Sequence, residues 1–165
     1  MDDLNEEQRQ TFAGTLLMAM GLMFGAGAFG GILIFRLSRK MEPIAPEVAT
    51  PFVVTAVAAA SIVVMGMMPF VVSTLFPLVP NDTDETDKPE NIWRSRKILQ
   101  YAIAEGAFFA NAVLYMLAGS GYSLAIAIAA VVVMLAIFPN TGQLKKWLAR
   151  QADAEAAQRL NHRTF

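Results

Sequence analysis

The chain has 165 residues, a length that suits one domain, and it is 55% hydrophobic and only 16% charged, against roughly 25% charged in an average soluble domain. A net charge of −1 argues against a nucleic-acid partner and against steering of an acidic substrate. With no cysteine and a single histidine, His162 in the C-terminal tail, disulfides, thiolate nucleophiles, Cys-ligated metals and His-based triads are ruled out, and no cofactor or metal is expected.

Secretory signals begin with basic residues, whereas Met1-Asp2-Asp3-Leu4-Asn5-Glu6-Glu7 is acidic, so the first apolar run is expected to be retained. Asn5 followed by Gln8 predicts a capping box that starts a helix. Ala13 to Phe35 then carries no charge for 23 residues. At about 1.5 Å per residue it spans about 35 Å, enough for a hydrocarbon core of about 30 Å. It ends at Arg36-Leu37-Ser38-Arg39-Lys40 and gives way to a connector containing Pro43, Pro46 and Pro51, expected to be extended.

Phe52 to Val79 is a second uncharged run, rich in Ala and Val, with Pro69 inside it. Pro69 removes one backbone hydrogen bond and predicts a kink. Asn81 to Asn91 reads as a hydrophilic acidic loop, and Trp93-Arg94-Ser95-Arg96-Lys97 as an aromatic and basic anchor at the membrane surface. The third run, Ile98 to Ala118, contains one charge, Glu105. Gly119-Ser120-Gly121 suits only a tight turn between helices. The fourth run, Tyr122 to Phe138, is 17 residues, at the short edge of what spans. From Thr141 onward the pattern predicts an amphipathic helix on anionic headgroups, with Leu144, Trp147, Leu148, Ala152, Ala156 and Leu160 near one face.

Basic residues set orientation. With four spans, ten lie on the side of the termini and the middle loop and three on the other, which puts both termini in the cytoplasm. The first span taken alone favours the reverse, with one basic residue before it and three after. Folding 52–79 back as a re-entrant hairpin at Gly66 to Pro69 would resolve the conflict, at twelve against one. Kinked spans are much commoner than re-entrant segments, which need protein around their irregular backbone. Four spans is the reading adopted, with the hairpin as its alternative.

Gly25-Ala26-Gly27-Ala28-Phe29-Gly30 matches the dinucleotide fingerprint in letters, but that chemistry needs a strand-to-helix turn, and here the glycines sit inside an apolar run. Gly21 with Gly25, and Gly27 with Gly31, are each spaced four apart and share a helix face. Small residues so placed let helix backbones approach in lipid, so these four are read as helix-packing positions, first within the chain and alternatively between copies. Asn81-Asp82-Thr83 fits the glycosylation triplet and is read as plain cytoplasmic loop.

Glu105 is the candidate for chemistry. It lies eight residues after Lys97, about 12 Å along the helix, and a charge at the centre of a span costs about 2.5–3.5 kcal/mol on insertion scales. An intramembrane carboxylate reads by default as an ion or proton relay, and structurally as a hydrogen-bond donor to a neighbouring helix. Thr15, Ser73 and Thr74 are the expected partners, and Asn111 is expected to face elsewhere and bridge to another helix or subunit.

The stretch Ile98 to Phe109, with its Ala102-Ile103-Ala104-Glu105-Gly106 string, followed by Leu117, Gly119 and an apolar run ending at Phe138-Pro139, resembles a helix pair of small uncharacterised bacterial multi-span membrane proteins. That likeness implies a bacterial membrane protein and no particular activity. The same string is similar to the carboxylate helix of rotor-ring proteolipids of rotary ATPases, whose other helix is glycine-rich. This second resemblance implies a proton-carrying role for Glu105.

Together these readings predict an all-α integral membrane four-helix bundle, with spans at about 13–35, 52–79, 98–118 and 122–138, and a C-terminal amphipathic surface helix and tail over 141–165. The expected location is the bacterial inner membrane. The expected partners are the lipid bilayer and a second copy or a membrane-complex component, with no nucleic acid. The expected role is a structural or accessory component and not an enzyme; the alternative is a proton- or ion-translocating subunit using Glu105.

Overall fold

A computed structural model describes residues 4–47, 50–78 and 88–163, with side chains as far as residue 157. The Asn81 triplet and the side chains of Leu160 and His162 lie outside the described residues. Within them every regular element is a helix, and there are five: α1 (Glu6–Ser38), α2 (Pro51–Leu75), α3 (Pro89–Ala118), α4 (Gly121–Ala136) and α5 (Thr141–Arg163). Three of these, α1, α2 and α3, are long and apolar enough to cross a membrane, and a fourth crossing is added if α4 and α5 count as one broken span. At 16 residues, α4 alone reaches only about 24 Å.

Local chemistry sets the helix ends. The Asn5 amide donates to Gln8 Oε1 at 3.2 Å and the Gln8 amide donates to Asn5 Oδ1 at 2.8 Å, the reciprocal capping box. Glu6 and Glu7 occupy the first turn, where the helix dipole favours acids. At the other end of α1, the Met41 amide donates to Arg36 O and the Lys40 amide to Leu37 O, both at 3.1 Å. This is a Schellman closure with Lys40 in the left-handed region at φ 49°, where glycine is usual. α3 ends with Gly119 at φ 69°, its amide donating to Tyr115 O at 2.8 Å. The next orphan carbonyls of α3 are met by the connector: the Ile44 amide donates to Met116 O at 3.1 Å and the Ala45 amide to Leu117 O at 3.3 Å.

α2 corrects one alternative. The helix runs unbroken from Pro51 to Leu75 with Pro69 inside it, so the chain does not turn back at Gly66 to Pro69. Apolar side chains on both sides of the proline give the helix no reason to stop, and the lost hydrogen bond is a single one.

The chain divides into two compact units. One contains Met1–Ala19, Pro69–Leu99 and Pro139–Phe165. Its core is Leu4, Phe12, Ile92, Trp93, Leu144 and Trp147, with the Phe12 and Trp93 rings stacked at 6.2 Å. Trp147 Nε1 donates to Pro89 O at 2.9 Å, and the Arg96 guanidinium lies 4.6 Å over the Trp147 ring while donating to Phe76 O. α5 therefore uses Leu144 and Trp147 against protein, and Gln151 is buried with them, whereas Ala152 and Ala156 are exposed. The face expected to rest on lipid is turned inward over its first turns, because the start of α1 and the start of α3 offer it an aromatic surface to bury against.

The other unit contains Met20–Met68 and Gln100–Phe138, and α3 is its hub. Tyr101, Ala104, Ala107, Phe108, Asn111 and Ala112 are all buried. Phe29 of α1 meets Phe108 and Phe109 edge-on at 6.3 and 5.4 Å. Val54 of α2 clusters with Leu114, and the Tyr101 hydroxyl donates to Met134 O of α4 at 3.0 Å. Alanines at Ala104, Ala107 and Ala112 let three helices approach one.

Candidate functional site

Glu105 sits on α3 with its side chain half-buried, facing α1 at Gly25: a methyl group built on Gly25 would stand 3.7 Å from Glu105 Oε1. The glycine edge and the lone acid, read separately in the sequence, therefore meet at one point. Gly25 leaves room for the carboxylate without a clash, since 3.7 Å is ordinary contact.

The other three glycines behave differently. Around Gly21, Gly27 and Gly31 nothing among the described residues lies within 4 Å of an added methyl, so no described helix packs closely on them. Gly27, Gly30 and Gly31 instead line a groove of about 510 Å³ between α1 and α4, with Phe108 and Met134 also in its wall. Aromatic contact at Phe29 holds α1 on α3, and α4 stands off from the glycine side.

The hydroxyls proposed as partners for Glu105 are engaged within their own helices. Thr15 Oγ1 donates to Thr11 O at 2.7 Å, Ser73 Oγ to Phe70 O at 2.8 Å and Thr74 Oγ1 to Phe70 O at 3.0 Å. All three residues belong to the unit that does not contain Glu105. A serine or threonine in a span satisfies its hydroxyl most cheaply on the carbonyl three or four residues back.

Asn111 is fully buried and bridges α3 to α2: its Nδ2 donates to Ser61 Oγ at 2.7 Å and to its own helix at Ala107 O at 2.9 Å. Its Oδ1, and the hydroxyl of buried Ser123 on α4, have no hydrogen-bond partner among the described residues. Ser61, Tyr101 and Ser123 were not legible as site residues. Tyr101 lies four residues before Glu105 on the same helix, which was the available signal; Ser61 and Ser123 are single hydroxyls in apolar runs and gave none.

At the start of α3, outside the third apolar run, burial lowers the Lys97 ammonium pKa to about 8, with neighbouring Arg96 adding to the effect. Burial also lowers Arg96 from its usual value, and both cations lie against indole rings, Arg96 on Trp147 and Lys97 on Trp93 at 6.0 Å. Among the described residues no three His, Cys, Asp or Glu side chains converge in a way that could hold a metal. No protein-family model, no curated protein and no solved structure matches the chain.

Proposed function

We propose that the chain is a small four-span protein of a bacterial inner membrane, both termini cytoplasmic, serving as a structural or accessory component of a membrane assembly and not as an enzyme. The observation that carries this reading is the open glycine edge of α1. Among the described residues nothing comes within 4 Å of a methyl built on Gly27 or Gly31, which share one face of α1, although in lipid such residues are valuable only where another surface comes close. The Asn111 Nδ2 amide and the Tyr101 hydroxyl, by contrast, join α3 to α2 and α4. The interior is thus built for cohesion and the α1 edge is left for a neighbour. Native mass spectrometry of the chain released from membranes tests this. A complex larger than one chain that Gly27→Leu with Gly31→Leu disperses supports the reading, and a monomer for both chains ends it.

The second reading, a proton- or ion-translocating subunit, is favoured by the half-buried carboxylate of Glu105 beside Gly25. Proton flux into liposomes carrying the wild type, lost in Glu105→Gln with the fold intact, would replace the first reading. Equal flux in both would remove the second.

A further inference from the structure

We infer that the outward side of the first turns of α5 is a headgroup site for anionic phospholipid. Between Thr141 and Gln151 the sequence holds Lys145, Lys146 and Arg150 and no acidic residue, and all three cations are exposed. The apolar side chains of the same turns are already used: Leu144 and Trp147 are buried in the core with Leu4, Phe12, Ile92 and Trp93. An amphipathic helix ordinarily inserts its apolar face into the acyl boundary. These turns have no such face left, so they meet the membrane by charge alone.

Chain connectivity supplies the depth. Four residues separate the apolar helix α4 from Thr141, so where α4 by itself crosses the bilayer, the chain leaves the apolar layer close in sequence to the first turns of α5. Trp147 locks the cations outward, because its indole is held by Pro89 O and capped by Arg96. Phosphate-bearing headgroups are the complementary partner, and each surface cation is worth about fivefold in affinity for an anionic leaflet. The inference rests on the membrane reading above.

The test uses the full chain in neutral detergent, titrated with short-chain phosphatidylglycerol and followed by tryptophan emission, since the two tryptophans of the chain, Trp93 and Trp147, both lie in the core under this surface. Phosphatidylglycerol is expected to shift the emission, and phosphatidylcholine of equal chain length is not. Changing Lys145, Lys146 and Arg150 to Gln together should raise the lipid needed for half the shift by about a hundredfold. Lys146→Gln alone, expected to cost about fivefold, serves if the triple variant misfolds, and Arg39→Gln with Lys40→Gln should change nothing. An equal response to phosphatidylcholine, or wild-type titration of both α5 variants, overturns the proposal. So does a matching response to inorganic phosphate or to polyglutamate, which would assign the surface to a free anion or to an acidic protein segment. Failure of the membrane reading shows separately, as a chain that stays monomeric in water without detergent.

Discussion

The Asn111 amide of α3 donates to the Ser61 hydroxyl of α2 at 2.7 Å, with both side chains buried. It is a polar link between those two helices, set beside Val57, Ala60 and Val64 of α2 and Ala107 and Ala110 of α3. Hydrogen bonds between helices in lipid average about 0.6 kcal/mol and reach about 1.7. Ser61→Ala and Asn111→Ala are each expected to lower unfolding free energy in detergent by about that range. In a double-mutant cycle the second substitution should cost little once the first is made; fully additive losses would show that the bond contributes nothing.

Gly119 closes α3 at φ 69°, and a methyl group there would meet Pro43 Cγ at 3.0 Å. Left-handed backbone costs an ordinary residue roughly 1–2 kcal/mol. Gly119→Ala should therefore lower the thermal midpoint in detergent. Adding Pro43→Ala should recover only the steric part and leave the backbone part; a complete recovery would locate the whole cost in the contact.

The glycines of α1 should separate in a stability series. At Gly21, Gly27 and Gly31 an added methyl meets nothing within 4 Å among the described residues, so alanine there is expected to leave the isolated chain unchanged or raise its helix stability by up to about 1 kcal/mol each. Gly25→Leu, by contrast, has to displace the Glu105 carboxylate and should destabilise. Equal losses at all four positions in monomeric chain would contradict the open edge.

Lys97 gives a pH signature. Burial first, and Arg96 second, lower its folded-state pKa to about 8 from the ordinary 10.5. Between those values the unfolded chain holds the proton that the folded chain has released, so stability rises with pH across that window. Below about pH 8 both states are protonated and the penalty of the half-buried ammonium is fully present. Lys97→Met should raise the stability at pH 7 and flatten the rise above pH 8, read from chemical unfolding at fixed ionic strength. An unchanged slope would mean that the ammonium is solvated in the folded chain.

The helices were legible because their signals are local. Uncharged runs long enough for a membrane marked α1, α2 and α3, Asn5 and Gln8 announced the first cap, and Gly119 announced the turn into α4. The close of α1 was not legible, since the left-handed position falls on Lys40 and not on a glycine. The bonds of Thr15, Ser73 and Thr74 were not legible either: each hydroxyl donates to a carbonyl of its own helix, a competition that residue spacing does not display.

By itself the sequence determined which segments are helical and apolar enough to leave water, because chain length, charge-free runs and capping residues act within a few neighbours. Only the tertiary structure decided that α3 is the hub, that Gly25 and not Gly21, Gly27 or Gly31 comes within contact of another described part of the chain, and that Leu144 and Trp147 of α5 are spent on protein. Every face of a uniformly apolar helix reads alike, so which one is covered depends on side-chain shape meeting side-chain shape across segments far apart in the chain.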